Sequence, residues 1–139
     1  MTLIPIGRAA AQLGLSTSAL RYYDDRGLVS PVRQRGQRMY GPDELRRLAF
    51  IKIAQHLGLP LQTAAAVLDT PSHTWRPMVH EQIEECNRII AQAQLAQMFL
   101  THALHCPAEH PARQCPNMTA ALDSLVNGTT IDQLAAEHT

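Results

Sequence analysis

The sequence lacks the features of a membrane or secreted protein. No stretch of its 139 residues approaches the roughly 18 consecutive apolar residues that a membrane-spanning helix needs. The N-terminus has no long apolar segment like that of a signal peptide. Three cysteines are an odd number, which argues against a disulfide framework and leaves metal ligands, reactive thiols or buried thiols. We therefore expect a cytoplasmic protein with reduced thiols and no membrane partner.

A net charge of either sign is also missing, but the charges are unevenly distributed. Up to residue 52 the chain has nine Lys and Arg residues against four acidic residues, and the remainder has three against eight. A net charge of +5 therefore precedes a net charge of −5. This division is typical of a nucleic-acid-binding head joined to a segment that does not contact phosphate.

Residues 7–26 predict two short helices joined by a tight turn. The first runs from about Gly7 to Leu13 and is stopped by Gly14, and the second runs through Arg26 after a cap at Ser16 or Thr17. Such a pair forms a helix-turn-helix, in which the second helix reads DNA. Its exposed polar residues would be the contacts with bases or phosphates: Ser16, Thr17, Arg21 and Tyr22.

The next segment completes a winged domain that we place at residues 1–70. Residues 30–40, with a turn near Arg35-Gly36, predict a hairpin whose arginines can bind backbone phosphates. These wing arginines are Arg33, Arg35 and Arg38. A helix from Pro42 to about His56 would then place Leu45, Leu48, Ala49 and Ile53 on its apolar face, with Arg46 and Arg47 solvated. A short helix at 61–68 closes the domain.

The second half predicts a long helix after a linker. Residues 71–77 contain two prolines and are typical of a linker. Residues 78–104 carry apolar side chains at spacings of four and three, which favours a coiled-coil dimer over packing on the chain's own head. The predicted dimer interface includes Val79, Ile83, Cys86, Ile90 and Leu100. Residues 105–139 would form a proline-rich loop and short helices near 119–126 and 130–138.

The first half resembles the MerR family of transcription regulators. The matching motifs are Leu20-Arg21-Tyr22-Tyr23-Asp24, Gly27-Leu28 and the wing sequence Arg38-Met39-Tyr40. The resemblance implies a mainly α fold: a winged helix-turn-helix head, a long antiparallel coiled-coil helix for dimerisation and a short C-terminal effector loop. It also implies a homodimer on double-stranded promoter DNA, which distorts the spacer so that RNA polymerase can engage both promoter elements.

The resemblance assigns roles to individual residues of the head. Arg21 and Tyr22 match positions that contact bases or backbone, and Arg38 and Tyr40 match contacts between the wing and the helix. Tyr23 is a further candidate for a phosphate contact. For both Tyr23 and Tyr40, packing in the core with a hydrated hydroxyl is the alternative.

The segment after the long helix resembles the metal-sensing loops of the same family. Cys106 and Cys115 flank it, His110 lies where the zinc-sensing branch has a histidine, and His105 takes the place of another ligand. Such a Cys/His set suits Zn(II), with Cu(I) or Hg(II) also possible. The cysteine that divalent-metal branches place at the start of the long helix is missing, which leaves His73 or His80 as ligands from a partner subunit.

Other sensing chemistries stay open. Cys106 and Cys115 could form a disulfide in response to an oxidant or electrophile. A structural zinc site without sensing is a more remote alternative. An enzyme is not expected, because Glu109 is the sole acid in the loop and the basic head would have no role. Cys86 is expected in the dimer core and His102 on the solvated surface.

Overall fold

The computed structural model describes residues 2–137, and the chain divides after Ile83 into two compact units. Helices and the strands of one small sheet follow one another along the chain, and the last three helices lie in the second unit. The elements are β1 (Ile4–Pro5), α1 (Ile6–Leu13), α2 (Thr17–Asp25), β2 (Val32–Gln34), β3 (Gln37–Tyr40), α3 (Pro42–His56), α4 (Leu61–Asp69), α5 (Ser72–His105), α6 (Pro111–Gln114), α7 (Pro116–Val126) and α8 (Ile131–Glu137).

The helix-turn-helix forms as the sequence predicts. Gly14 ends α1 with a left-handed φ of 65°, which glycine adopts without a steric penalty. Ser16 then caps α2, because its hydroxyl oxygen accepts a hydrogen bond from the backbone N–H of Ala19 at 3.0 Å. The prediction of both helices is confirmed, with boundaries shifted by one residue at each outer end.

The wing is part of a three-stranded antiparallel sheet in the order β1-β3-β2. Arg35 and Gly36 both have positive φ, 51° and 77°, as a two-residue hairpin turn requires, so the predicted turn is confirmed. Strand β1 pairs with β3 through Ile4 opposite Tyr40. This strand was not predicted, because two residues, one of them a proline, carry no periodicity signal.

The core of the head lies beneath α1, α2, α3 and β3. Its buried residues are Ile4, Ala9, Ala10, Leu20, Tyr23, Leu28, Val29, Tyr40, Leu48 and Ile51. Helix α3 begins at Pro42 as predicted, and Glu44 accepts a hydrogen bond from the Gly41 N–H at 3.1 Å. The prediction that Ile53 faces the core was wrong, because α3 buries Leu48, Ile51 and Ala54 and leaves Ile53 exposed.

Helix α5 begins earlier than the sequence predicts. The segment 71–77 was predicted as a linker, which is wrong, because residues 72–77 form the first turns of α5. The Pro71 carbonyl accepts hydrogen bonds from the N–H groups of Thr74 and Trp75 at 2.9 and 3.2 Å, which starts the helix. Pro77 removes one intrahelical bond near the start of the helix, but its fixed φ is compatible with a helix. The predicted long helix over 78–104 is confirmed.

The C-terminal segment is more helical than predicted. The four-residue helix α6 lies within the segment predicted as a loop, and α7 begins at Pro116 rather than near residue 119. Helix α8 matches the predicted last helix up to Glu137, and His138 lies outside the described residues. Across residues 2–137, no helix combines the length and apolar character needed to cross a membrane.

Candidate DNA-binding face and metal site

Helix α2 exposes part of the polar surface that the sequence predicts for DNA reading. Arg21 and Tyr22 point into solvent, and the Arg26 guanidinium lies 5.7 Å from the centre of the Tyr22 ring. Ser16 is exposed but its hydroxyl already caps α2, and Thr17 is half-buried in the first helical turn. Arg21 and Tyr22 are therefore the residues of this helix most available to a duplex.

The three wing arginines differ in their surroundings. Arg33 and Arg35 are exposed on β2 and at the hairpin turn. Arg38 on β3 instead donates from Nε to the Asp24 carboxylate at 2.7 Å and lies 3.7 Å from Asp25. This pair raises the pKa of Arg38, chiefly through the hydrogen bond to Asp24. Arg38 thus joins the wing to α2, in line with the wing-to-helix contact that the family resemblance implies, and its contact with phosphate stays a prediction.

Both tyrosines proposed as alternatives between DNA contact and core packing belong to the core. Tyr23 is 8 % exposed and packs edge-on against Tyr22, with ring centres 5.9 Å apart. Tyr40 is completely buried, and its hydroxyl has no hydrogen-bond partner within the described part of the chain. Burial raises the pKa of Tyr40, and the charge of Asp24 adds to the rise. Both side chains therefore pack in the core, as the alternative interpretation held, and a contact of either tyrosine with DNA stays a prediction.

Arg47 is bound rather than solvated, which also corrects the sequence analysis. Its guanidinium donates to both Asp69 carboxylate oxygens at 2.8 Å and to the Leu28 carbonyl at 2.9 and 3.1 Å. Arg46, one residue earlier, is exposed and pairs with the exposed Asp43. One guanidinium on α3 therefore connects the segment that follows α2 with the end of α4.

In the second unit, two cysteines and a histidine come together. The candidate ligand atoms of His102, Cys106 and Cys115 all lie within 4.8 Å of one another. His102 lies in the last turns of α5, and the Cys106 N–H donates to the His102 carbonyl at 2.9 Å, so both side chains share one helical face. Cys115 is 4 % exposed and directly precedes α7. Its Sγ lies 3.6 Å from Nε2 of His102.

The surroundings of Cys115 favour its thiolate. The backbone N–H of Met118 makes the largest contribution to lowering the pKa of the Cys115 thiol, to about 7. His102 and Cys106 lower it further by hydrogen bonding, while burial acts in the opposite direction. A sulfur at the N-terminus of a helix is stabilised as an anion by the unpaired N–H groups there. This sulfur is accordingly a strong candidate for binding a soft cation.

The two histidines predicted as ligands lie outside this cluster. His105 places Nδ1 2.9 Å from the Thr101 carbonyl of its own helix, and His110 begins α6 with its N–H donating to Gln114. His102, rather than His105 or His110, is the histidine that lies beside the two cysteines. The spacing of His102 and Cys106, four residues apart at the end of a helix, was the signal that could have identified it.

Family models match most of the chain. The model described as "MerR HTH family regulatory protein" matches residues 4–70, and the model described as "MerR, DNA binding" matches residues 45–103. The HTH-type transcriptional activator SoxR homolog of Chromobacterium violaceum is 38 % identical over 101 residues, which cover 62 % of this chain and 68 % of that protein. The chain belongs to the MerR family.

Two further proteins are similar to this chain over most of their length. Heavy metal-dependent transcription regulator 2 of Rhizobium meliloti is 29 % identical over 133 residues, which cover 89 % of this chain and 87 % of that protein. The fold is similar to that of the transcription regulator PbrR691 from Ralstonia metallidurans CH34, solved in complex with lead(II). The TM-score is 0.60 at 16 % identity, with 85 % of this chain and 98 % of that chain covered.

Membership of the MerR family establishes the class of protein. The chain is a DNA-binding transcription regulator, and the relatives that it matches are regulators rather than enzymes. The mainly helical fold with a long helix and a small sheet is confirmed. The MerR resemblance found in the sequence motifs is confirmed as well.

Proposed function

We propose that this MerR-type regulator responds to a soft or borderline metal ion held by Cys106, Cys115 and His102. The observation that carries the proposal is the approach of their three ligand atoms to within 4.8 Å of one another. The names of several relatives, among them the heavy metal-dependent regulator of Rhizobium meliloti, support a metal as the effector. The proposed signal is a change in transcription when the ion binds.

The donor set fits such an ion. Thiolate sulfur selects soft and borderline cations, and imidazole nitrogen suits the same group. Zn(II) remains our first choice and would complete its tetrahedral shell with a fourth ligand, from water or from His73 or His80 of a second copy. Cu(I) and Hg(II) are softer and are satisfied by fewer ligands. The depressed pKa of Cys115 eases the deprotonation that metal binding requires.

The proposed DNA-binding machinery is the head, residues 1–70. Arg21 and Tyr22 on α2 would read or flank bases, and Arg33 and Arg35 on the wing would contact phosphates. Bending a DNA site of roughly 20–30 base pairs costs on the order of 1–6 kcal/mol, which phosphate contacts must offset. The ion needs only to bind better to the state that holds distorted DNA, so that RNA polymerase engages the promoter.

Residues 78–104 would form the dimer interface. Ile83, Ile90 and Leu100 are each more than half exposed, and α5 has no buried residue in the single chain. Pairing with a second copy would cover this apolar face, including Val79 and Cys86, and would give the twofold symmetry that palindromic sites require. Residues 105–139 would carry the sensing segment.

The test of the metal site is a competition titration of the reduced, metal-free protein with Zn(II), Cu(I) and Hg(II). We expect tight binding of at least one ion in the wild type, its loss in the Cys106→Ser/Cys115→Ser double variant, and weaker binding in His102→Ala. His105→Ala and His110→Ala are matched controls and should bind as the wild type does. Equal losses in the two controls and in His102→Ala would contradict the assigned ligand set.

The link between metal and transcription is tested with Cys115→Ser. This variant should bind operator DNA with unchanged affinity, because Cys115 lies outside the head. Transcription in vitro from the regulated promoter, measured with this variant, should no longer respond to the ion. A mutant that responds fully would discard the sensing site. Wild-type protein that binds the ion tightly without any change in transcription would identify a structural metal site instead.

A thiol switch is the second candidate, and the same geometry favours it. The Sγ atoms of Cys106 and Cys115 lie within 4.8 Å of each other, and Cys115 carries substantial thiolate near neutral pH. A peroxide could oxidise the pair to a disulfide, with two electrons passing to the peroxide and both thiol protons ending in water. Weak metal binding together with a peroxide-induced intramolecular disulfide, seen by mass spectrometry, would favour this function.

A further inference from the structure

We propose that Asp24 determines DNA specificity as a positioning residue, by holding the wing against the recognition helix and restraining two wing arginines. Here the recognition helix is α2, and the wing is β2, β3 and their turn. The inference rests on the proposed DNA-reading role of these elements. Asp24 itself, an acid on a DNA-binding surface, would contact no phosphate.

The carboxylate of Asp24 is the meeting point of two wing arginines. Its Oδ2 lies 2.7 Å from Nε of Arg38 and 3.5 Å from an Nη of Arg33. The Arg38 and Asp24 side chains are only 20 % and 19 % exposed, whereas Arg33 is 57 % exposed. The short contact to Arg38 is therefore largely shielded from solvent, whereas the longer contact to Arg33 is solvent-exposed. Both contacts involve the same oxygen atom of Asp24.

The sheet register explains why the wing needs this carboxylate. Arg33 on β2 and Arg38 on β3 are directly opposite each other in the hairpin. Like charges in opposite positions destabilise an antiparallel pair. A carboxylate that contacts both guanidinium groups offsets this repulsion, so Asp24 permits two cations to stand side by side on the wing.

The two contacts with Asp24 give Arg38 and Arg33 different roles. The Arg38–Asp24 distance is that of a strong charge-assisted hydrogen bond, which fixes the wing to α2. The 3.5 Å contact of Arg33 is too long for such a bond, so Arg33 can exchange the carboxylate for a phosphate. On the correct duplex this exchange would occur with the wing already in register. On other DNA, Asp24 would retain Arg33 and weaken the contact.

The test compares Asp24→Asn with Asp25→Asn. Asp25 is the neighbouring carboxylate, 72 % exposed and 3.7 Å from Arg38, so its variant removes the same charge without breaking the short contact. The probes are a duplex selected from a random-sequence library by the wild-type protein and a nonspecific duplex of equal length. Affinities are measured by fluorescence anisotropy across a series of salt concentrations, and the melting temperature of each variant is recorded.

We expect Asp24→Asn to bind the nonspecific duplex more tightly and with a steeper salt dependence than the wild type does. Each added phosphate contact makes the loss of affinity between about 50 and 200 mM salt about three- to fourfold larger. The ratio of selected to nonspecific affinity should fall by a similar factor. Asp25→Asn should change this ratio less.

A third variant separates restraint from simple stability. Arg38→Gln breaks the short contact between the wing and α2 but leaves Arg33 beside Asp24. The ratio of selected to nonspecific affinity should therefore fall without a steeper salt dependence. Equal weakening on both duplexes in Asp24→Asn, or equal ratios in the Asp24 and Asp25 variants, would overturn the proposal. Failure of the library to yield any duplex that the wild type prefers would instead overturn the DNA-reading function on which it rests.

Discussion

Single residues of the same type have different roles in the head, and Arg21 is the clearest candidate for direct DNA reading. It is exposed on α2 and is a different case from Arg38 and Arg47, whose guanidinium groups are bound within the protein. Arg21→Ala should weaken binding to the selected duplex and blur base preference, since a base-reading contact contributes about 1–3 kcal/mol of discrimination. Anisotropy with single-base variants of that duplex measures the effect. Arg46→Ala is the matched control, and equal effects of both substitutions would remove Arg21 from the contact surface.

The buried hydroxyl of a single residue, Tyr40, leads to a prediction about stability. Its hydroxyl is buried without a partner in the described chain, so folding removes it from water with no hydrogen bond in return. Tyr40→Phe keeps the ring and should raise the free energy of unfolding by up to about 1–3 kcal/mol. Urea denaturation of the full chain measures this change. A loss of stability would show that the hydroxyl has a bonding partner in solution.

Residue types explain where sequence reasoning about the site succeeded. Cys106 and Cys115 stood out because two soft ligands flanked a proline-rich segment, and the structure brings them together. His102 was overlooked because a histidine on a long polar helix resembles a solvated residue. Its proximity to Cys115 depends on the path of the chain between α5 and α7, which spacing alone does not reveal. The location of the Tyr40 side chain was equally ambiguous, since tyrosine occurs both in protein cores and on protein surfaces.

At the scale of secondary-structure elements, Arg47 on α3 connects the segment that follows α2 with the end of α4. Arg47→Ala should lower the free energy of unfolding by about 2 kcal/mol, because it leaves the Leu28 carbonyl and Asp69 without their charged donor. The exposed Arg46–Asp43 pair is the control, and Arg46→Ala should cost no more than about 0.5 kcal/mol. Thermal or urea unfolding measures both, and equal costs would contradict a special role for Arg47.

The same contact gives the head a pH dependence with a definite sign. The hydrogen bond from Arg47 lowers the pKa of Asp69 below its ordinary 3.8, against the smaller effect of burial. The contribution of this ion pair to the free energy of unfolding is therefore complete above the pKa of Asp69 in the unfolded chain. It is lost as the pH falls through the lower pKa of Asp69 in the folded protein. Asp69→Asn should flatten this part of the stability profile. An unchanged acid limb in urea titrations would contradict the assignment.

Most elements were predictable because local signals agree with the fold. Gly14, Ser16, Pro42 and Gly36 act at helix ends and at the turn as their chemistry dictates. The start of α5 was not predictable in the same way, because two prolines in seven residues are typical of a linker. Pro71 instead directly precedes the first helical residue, and Pro77 lies inside α5 at the loss of one intrahelical hydrogen bond. Strand β1 depends entirely on pairing with β3, a contact between residues distant in sequence.

For the whole molecule, the exposed apolar face of α5 predicts a dimer. Ile90→Glu places a charge at the centre of the proposed seam and should shift sedimentation from dimer to monomer, because burying an unpaired carboxylate is costly. Gln92→Glu is a control with the same new charge on the same helix and outside the apolar heptad positions. An intact Ile90→Glu dimer would place the interface elsewhere.

A metal ion bound at the Cys/His cluster, as proposed above, would also affect the lifetime of the protein in a cell. A bound ion would join the end of α5 to the start of α7 and would close residues 107–114 into a small ring. Such a closure opposes local opening, and proteases cut the opened form. Chains without the ion would then be degraded faster than loaded chains. The amount of regulator, as well as its activity, would follow the supply of the ion.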